Sequence, residues 1–128
     1  MADTVTSQTI TDVSGSKTVM KFTNLSDGTG ESLVKKVDAS ELNHASSSTK
    51  LARVIYSINT VGGNGAVELV YDGATNATAM VLGGSGTIDL RTPAIQIANN
   101  ATTPTGDILF STKNFVNGDS YTIILELR

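Results

Sequence analysis

The chain contains no cysteine and no tryptophan, one histidine and two prolines in 128 residues. Without cysteine there is no disulfide and no thiolate chemistry, so folding does not depend on an oxidising compartment. Charge is also scarce: Asp, Glu, Lys and Arg make up 16% of the chain and net to −3. The few cations are scattered, with Lys35-Lys36 the only adjacent pair, whereas nucleic-acid binders carry a concentrated basic face. No apolar run approaches the roughly 20 residues of a membrane-spanning helix. The opening MADTVTSQTI shows no basic segment followed by an apolar one, so no secretory signal is expected.

What is abundant is Thr, Ser and Gly, the last at 12 residues. Thr suits strands, and Gly, Ser and Asn suit turns, a composition that predicts many short strands joined by tight loops. The segment 51–82 carries the clearest pattern. Ala52, Val54, Tyr56 and Ile58 alternate with Leu51, Arg53, Ile55 and Ser57; Val67, Leu69 and Tyr71 alternate with Glu68, Val70 and Asp72. Period-two alternation marks half-buried strands. Gly62-Gly63-Asn64-Gly65 lies between the two runs and reads as the reversal of a central β-hairpin, with a third strand following over 76–82.

Further strands are expected over 17–24, with Met20 and Phe22 inward, and over 31–38, where Leu33, Lys35 and Val37 alternate with Val34 and Lys36 and one face is wet. Two more are expected over 107–113 and 120–128. The last is so apolar that it is expected at the centre of its sheet and covered on both sides. Residues 2–11 are polar and Thr-rich, which permits an edge strand but favours an extended N-terminal arm. Asp38 through Leu42 reads as one helical turn with Asp38 as cap and Glu41 reaching back, followed by a polar loop containing His44. Asp27-Gly28 and Asn117-Gly118-Asp119 are turns, Pro93 bars a central strand position, and Asn99 to Gly106 is loop. The whole predicts a single all-β domain over 1–128, a β-sandwich or jelly roll of eight to ten short antiparallel strands, with a small closed β-barrel as the alternative.

No stretch spells out a reaction. A Ser–His–acid triad needs a base, and the only histidine is His44, whose ordinary reading is a solvent-facing loop residue. The glycine clusters lack both the GxGxxG pattern and the Lys-Ser/Thr of a phosphate loop, and they join strand to strand. The acids at Asp27 with Glu31, at Asp72, and at Asp107 with Asp119 match no EF-hand spacing, and one histidine without cysteine leaves little for a transition metal. Asn24, Asn76 and Asn100 fall in glycosylation-acceptor triplets that chance explains in so Thr- and Ser-rich a chain. The expectation is a non-enzymatic protein without cofactor or metal, whose uncharged polar surfaces are cheap to desolvate against another protein.

Several segments resemble a known group. MADTVTSQTI and VMKFTNLSDGTGESLVKKVDASEL, with Val54–Ile58, Val67–Asp72, Gly106–Phe110 and Gly118–Tyr121, are similar to small virion structural proteins of tailed phages that infect marine bacteria. The resemblance departs after Tyr71, where Ala79-Met80-Val81-Leu82 and a glycine run replace a more aromatic stretch. It implies a capsid decoration or cement protein on the outer head surface, made in the host cytoplasm. Its partner would be the major capsid protein, bound as a homotrimer, with neither nucleic acid nor membrane involved. Under that reading the contacts lie in the arm and the 17–38 region, at Thr4, Val5, Thr6, Ile10, Lys21, Lys35 and Lys36. The alternative is a tail, neck or fibre-associated module that binds host glycan, which an exposed aromatic platform would mark.

Overall fold

The computed structural model describes residues 3–46, 48–92 and 95–128. Among them are nine strands: β1 (Thr4–Val13), β2 (Lys17–Leu25), β3 (Val34–Val37), β4 (Leu51–Asn59), β5 (Ala66–Tyr71), β6 (Ala77–Leu82), β7 (Ser85–Asp89), β8 (Ile108–Lys113) and β9 (Ser120–Leu127). A single 3-10 turn, Ala39–Glu41, is capped by the Asp38 carboxylate, which accepts from the Ser40 amide. The strands form a five-stranded sheet in the order β1-β2-β9-β4-β7 and a four-stranded sheet in the order β3-β8-β5-β6, and every pairing is antiparallel. The two sheets pack face to face as a β-sandwich. Neither sheet closes on itself, so the barrel alternative does not hold.

Alternation explains the packing. Phe22, Val54, Ile58, Ile123 and Leu125 of the five-stranded sheet, with Val67, Leu69, Ile108 and Phe110 of the other, share one buried core. Its aromatic centre is Phe110, 5.1 Å from Phe22 edge-on and 5.9 Å from Tyr121. Tyr71 crosses that core: its hydroxyl donates to the Ile97 carbonyl at 2.6 Å and accepts from the Leu51 amide at 3.2 Å. Burial pushes this hydroxyl up to a pKa of about 12, because the phenolate would lose its hydration.

The central hairpin is the main correction. β4 and β5 do not pair; they lie in different sheets, and 60–65 carries the chain across the sandwich. Only β1–β2 and β5–β6 are both consecutive and paired. The other six connections pass between sheets, including the one from β8 to β9.

Residues 4–13 are likewise no detached arm: β1 is the edge strand of the five-stranded sheet, paired with β2 from Thr4 opposite Leu25 to Val13 opposite Lys17. Met1 and Ala2 of the expected arm, Ser47 of the polar loop and Pro93 lie outside the described residues. The strand expected over 31–38 shrinks to Val34–Val37 because Leu33 takes φ +50°. β9 is central as expected, yet its outer face is open at Thr122.

Candidate docking surfaces

The outward side of the five-stranded sheet is built by register. Thr6 lies opposite Thr23, Thr23 opposite Thr122, Thr122 opposite Ser57, and Ser57 opposite Ser85. Each strand thus contributes one hydroxyl to a straight cross-strand row, which spans about 19 Å at the usual strand spacing. Four of the five residues are exposed and Thr23 is half-buried; the Thr6 and Thr23 hydroxyls bond to each other. The row on one side is Thr4, Leu25, Ser120 and Asn59, and on the other Gln8, Lys21, Ile124, Ile55 and Thr87. Lys21 is the one charge in this block.

The next row reverses the character. Glu126 is 1% exposed, with Arg128 Nε donating to Oε2 at 2.6 Å. Arg53 Nη2 lies 3.0 Å from Oε1 without the alignment of a hydrogen bond, so that oxygen is held by charge alone.

The expected contact residues do not form one surface. Thr4, Val5, Thr6 and Ile10 lie on exposed β1, with Val5 and Ile10 45% and 52% exposed. Lys21 is half-buried on the hydroxyl-bearing face. Lys35 is exposed and pairs with Asp107 at 3.1 Å, an interaction that raises its pKa first through the hydrogen bond to that carboxylate. Lys36 corrects the expectation outright. A register shift between Lys35 and Val37 accompanies an inward turn of its side chain, and its ammonium sits 2.6 Å from Glu31 Oε2 with both side chains under a tenth exposed. Alternation groups Lys36 with Val34 without saying which face is wet, and a bulge is invisible to it.

Glu31 also anchors a polar seam between the sheets. Its Oε1 accepts from the Tyr121 hydroxyl at 2.6 Å and from Asn24 Nδ2 at 3.0 Å, and Asn24 Nδ2 also donates to Asp3. Burial and the Glu31 carboxylate both raise the Tyr121 pKa. Asn24 is itself buried, so its acceptor triplet is out of reach.

Of the acids considered for calcium, Asp119 and Asp107 hold backbone donors at the two ends of the sandwich. Asp119 takes the amides of Val61 at 2.8 Å and Val116 at 2.9 Å; Asp107 takes the Ala39 amide at 2.8 Å and the Lys35 ammonium. At the Asp119 end an open cleft of about 570 Å³ is walled by Ile58, Val61 and the glycines of three loops, with no ionisable side chain in its lining.

His44 is held by its backbone, whose amide donates to Asp12 Oδ1 at 3.0 Å. Both ring nitrogens are buried without a hydrogen-bond partner among the described residues. Among the described residues no Ser and no acid hydrogen-bonds to the imidazole, so the expectation of a solvent-facing ring is corrected without a triad taking its place. Asp12 itself is lowered below the usual carboxylate value, chiefly by the Asn43 amide.

No protein-family model matches this chain, and no curated protein matches it. Among solved structures, the crystal structure of FLHE is similar at a TM-score of 0.34 and 16% identity, over 100% of this chain and 99% of that one. A likeness at that level leaves the function to be argued from the chain's own surfaces.

Proposed function

We propose that this chain is a non-enzymatic virion structural protein of a tailed phage, a decoration protein that docks on the major capsid protein at the outer head surface. The carrying observation is the hydroxyl row with its uncharged flanks. Uncharged hydroxyls lose little on leaving water when a partner offers hydrogen bonds in return, which suits a broad, dry contact. The sequence resemblance supplies the virion context, and the rigid two-sheet body supplies a support that needs no cofactor. For the tail or fibre alternative, the aromatic platform that glycan binding favours is missing from the exposed side chains: five of the six aromatics are buried, and Tyr56 is half-buried beneath Gly86.

The test compares two lysines on opposite faces. Thr122→Lys puts a charge in the middle of the hydroxyl row; Val81→Lys puts one on the other sheet, at a side chain that is 61% exposed. Binding of each purified variant to expanded, undecorated heads is measured by occupancy. The expected result is loss of occupancy for Thr122→Lys alone. Equal occupancy for both removes the hydroxyl-bearing face from the account, and no binding by the unmodified chain removes the capsid reading.

A further inference from the structure

We propose that β1 pairs with β1 of a second copy of this chain, joining two five-stranded sheets edge to edge about a two-fold axis. Every open sheet edge is a template for another strand, and proteins ordinarily guard such edges with charge, brevity or bulges. Three of the four edges here are guarded. β3 is four residues long, carries Lys35 and Lys36 and has a register shift. β6 is interrupted by a shift opposite Leu69 and Val70. β7 is five residues long and ends at Asp89, which is clamped by Arg91 at 2.7 Å.

β1 is the exception. It is ten residues long, and Thr4 through Thr11 contains no charge and no proline. Its one irregularity falls between Thr9 and Thr11, so Thr4–Thr9 offers a straight, unguarded edge. These six residues are all exposed.

The occupant follows from electrostatics and symmetry. A two-fold axis perpendicular to the sheet brings identical strands together antiparallel and keeps like faces on the same side. Centred on Ser7, it sets Val5 opposite Thr9 and Thr6 opposite Gln8 of the second copy. No charged residue then meets another, and β-branched cross-strand pairs are favourable. An uncharged strand of this kind is compatible with its own copy, whereas recognition of a different partner commonly uses charge to choose it. The pairing also extends the hydroxyl-bearing face across two molecules. It is two-fold, in place of the threefold arrangement that the sequence resemblance implies, and it does not depend on the capsid reading.

Purified full-length chain is examined by sedimentation equilibrium over a wide concentration range. The expected mass rises from that of the 13.3 kDa chain to twice that value. The double variant Thr6→Lys/Gln8→Lys places like charges across the axis in any register near Ser7 and is expected to stay monomeric, as is Thr6→Glu/Gln8→Glu. An equimolar mixture of the two is expected to recover the doubled mass, a result that damage to the monomer fold does not produce. A chain that is monomeric throughout, variants that associate as strongly as the parent, or a mixture that fails to associate while both variants keep the parent's circular dichroism would each overturn the proposal. If the variants unfold, cross-linking of Ser7→Cys to its copy in otherwise unaltered chain decides: a disulfide-linked dimer supports the pairing and its absence refutes it.

Discussion

On the outward side of the four-stranded sheet the side chains answer one another. Glu68 accepts from the Thr78 hydroxyl at 2.6 Å and faces Lys113 at 3.7 Å, and Lys35 reaches Asp107. Among them Val70, Leu109 and Ser111 are buried although they sit on the outer face. On the five-stranded sheet Thr122, Ser57 and Ser85 make no side-chain hydrogen bond among the described residues, and water must satisfy them. The same fold has one face whose polar groups are already paired laterally and one where, the Thr6–Thr23 bond and the Glu126 cluster aside, the hydroxyls of the row are left to solvent. Only the second can exchange water for a partner without first breaking protein contacts.

That contrast presupposes that the sheets are locked together, and the lock is most sensitive at Glu31. Glu31→Ala strands the Lys36 ammonium in a site where its side chain is 7% exposed and removes the acceptor of the Tyr121 hydroxyl. Breaking a buried pair by deleting one member costs about 3–5 kcal/mol, so denaturant unfolding is expected to show the largest loss of any single change considered. Glu31→Ala together with Lys36→Met is expected to recover much of it, since an apolar replacement of both partners is often near neutral. A single variant as stable as the parent would show that the seam does not hold the sheets.

The second tie is Tyr71, which reaches from the four-stranded sheet to the Leu51 amide and the Ile97 carbonyl. Tyr71→Phe leaves both without that partner and is expected to cost about 1–2 kcal/mol. The hydroxyl also sets an alkaline limit. Its pKa in the folded chain is raised to about 12 from an ordinary 10.0. The folded state therefore holds this proton more tightly than the unfolded one, and the stability so gained is complete below pH 10 and lost as pH climbs toward 12. Unfolding followed across that window is expected to fall for the parent and to fall less for Tyr71→Phe; parallel curves would assign the alkaline loss to other groups.

How much of this was legible beforehand follows from what alternation encodes. It separates the two sides of a strand, and so Met20 and Phe22 are assigned inward correctly, while Val54 and Leu69 each share an alternating face with residues that are buried together. It carries no information about which strand is the neighbour. Val54 and Ile58 of β4 and Val67 and Leu69 of β5 alternate identically whether the strands lie side by side or face each other across the core. Six residues from Thr60 to Gly65 are enough for either path. The hydroxyl row is hidden for the same reason: Thr6, Thr23, Ser57, Ser85 and Thr122 are scattered in the chain and meet only through four separate registers. The burial of Lys36 is missed because alternation over 31–38 puts a lysine on each face, and the bulge that leaves Lys36 without a partner in β8 is invisible to it.

The smallest expected effects test the contrast between the two outward faces directly. Glu68→Ala removes the acceptor of Thr78 and the partner of Lys113, and its exposed setting limits the cost to about 0.5–1 kcal/mol, reduced by salt. Thr122→Ala removes a hydroxyl that only water satisfies, and the expected change is within about 0.5 kcal/mol of zero and independent of salt. Thermal unfolding of both variants at low and high ionic strength separates the faces. If Thr122→Ala destabilises as much as Glu68→Ala, the row serves the fold and is no longer free for a partner. If neither changes stability, the lateral pairs on the four-stranded sheet are ornaments of a surface as open as the other, and the hydroxyl row loses its distinction as the docking face.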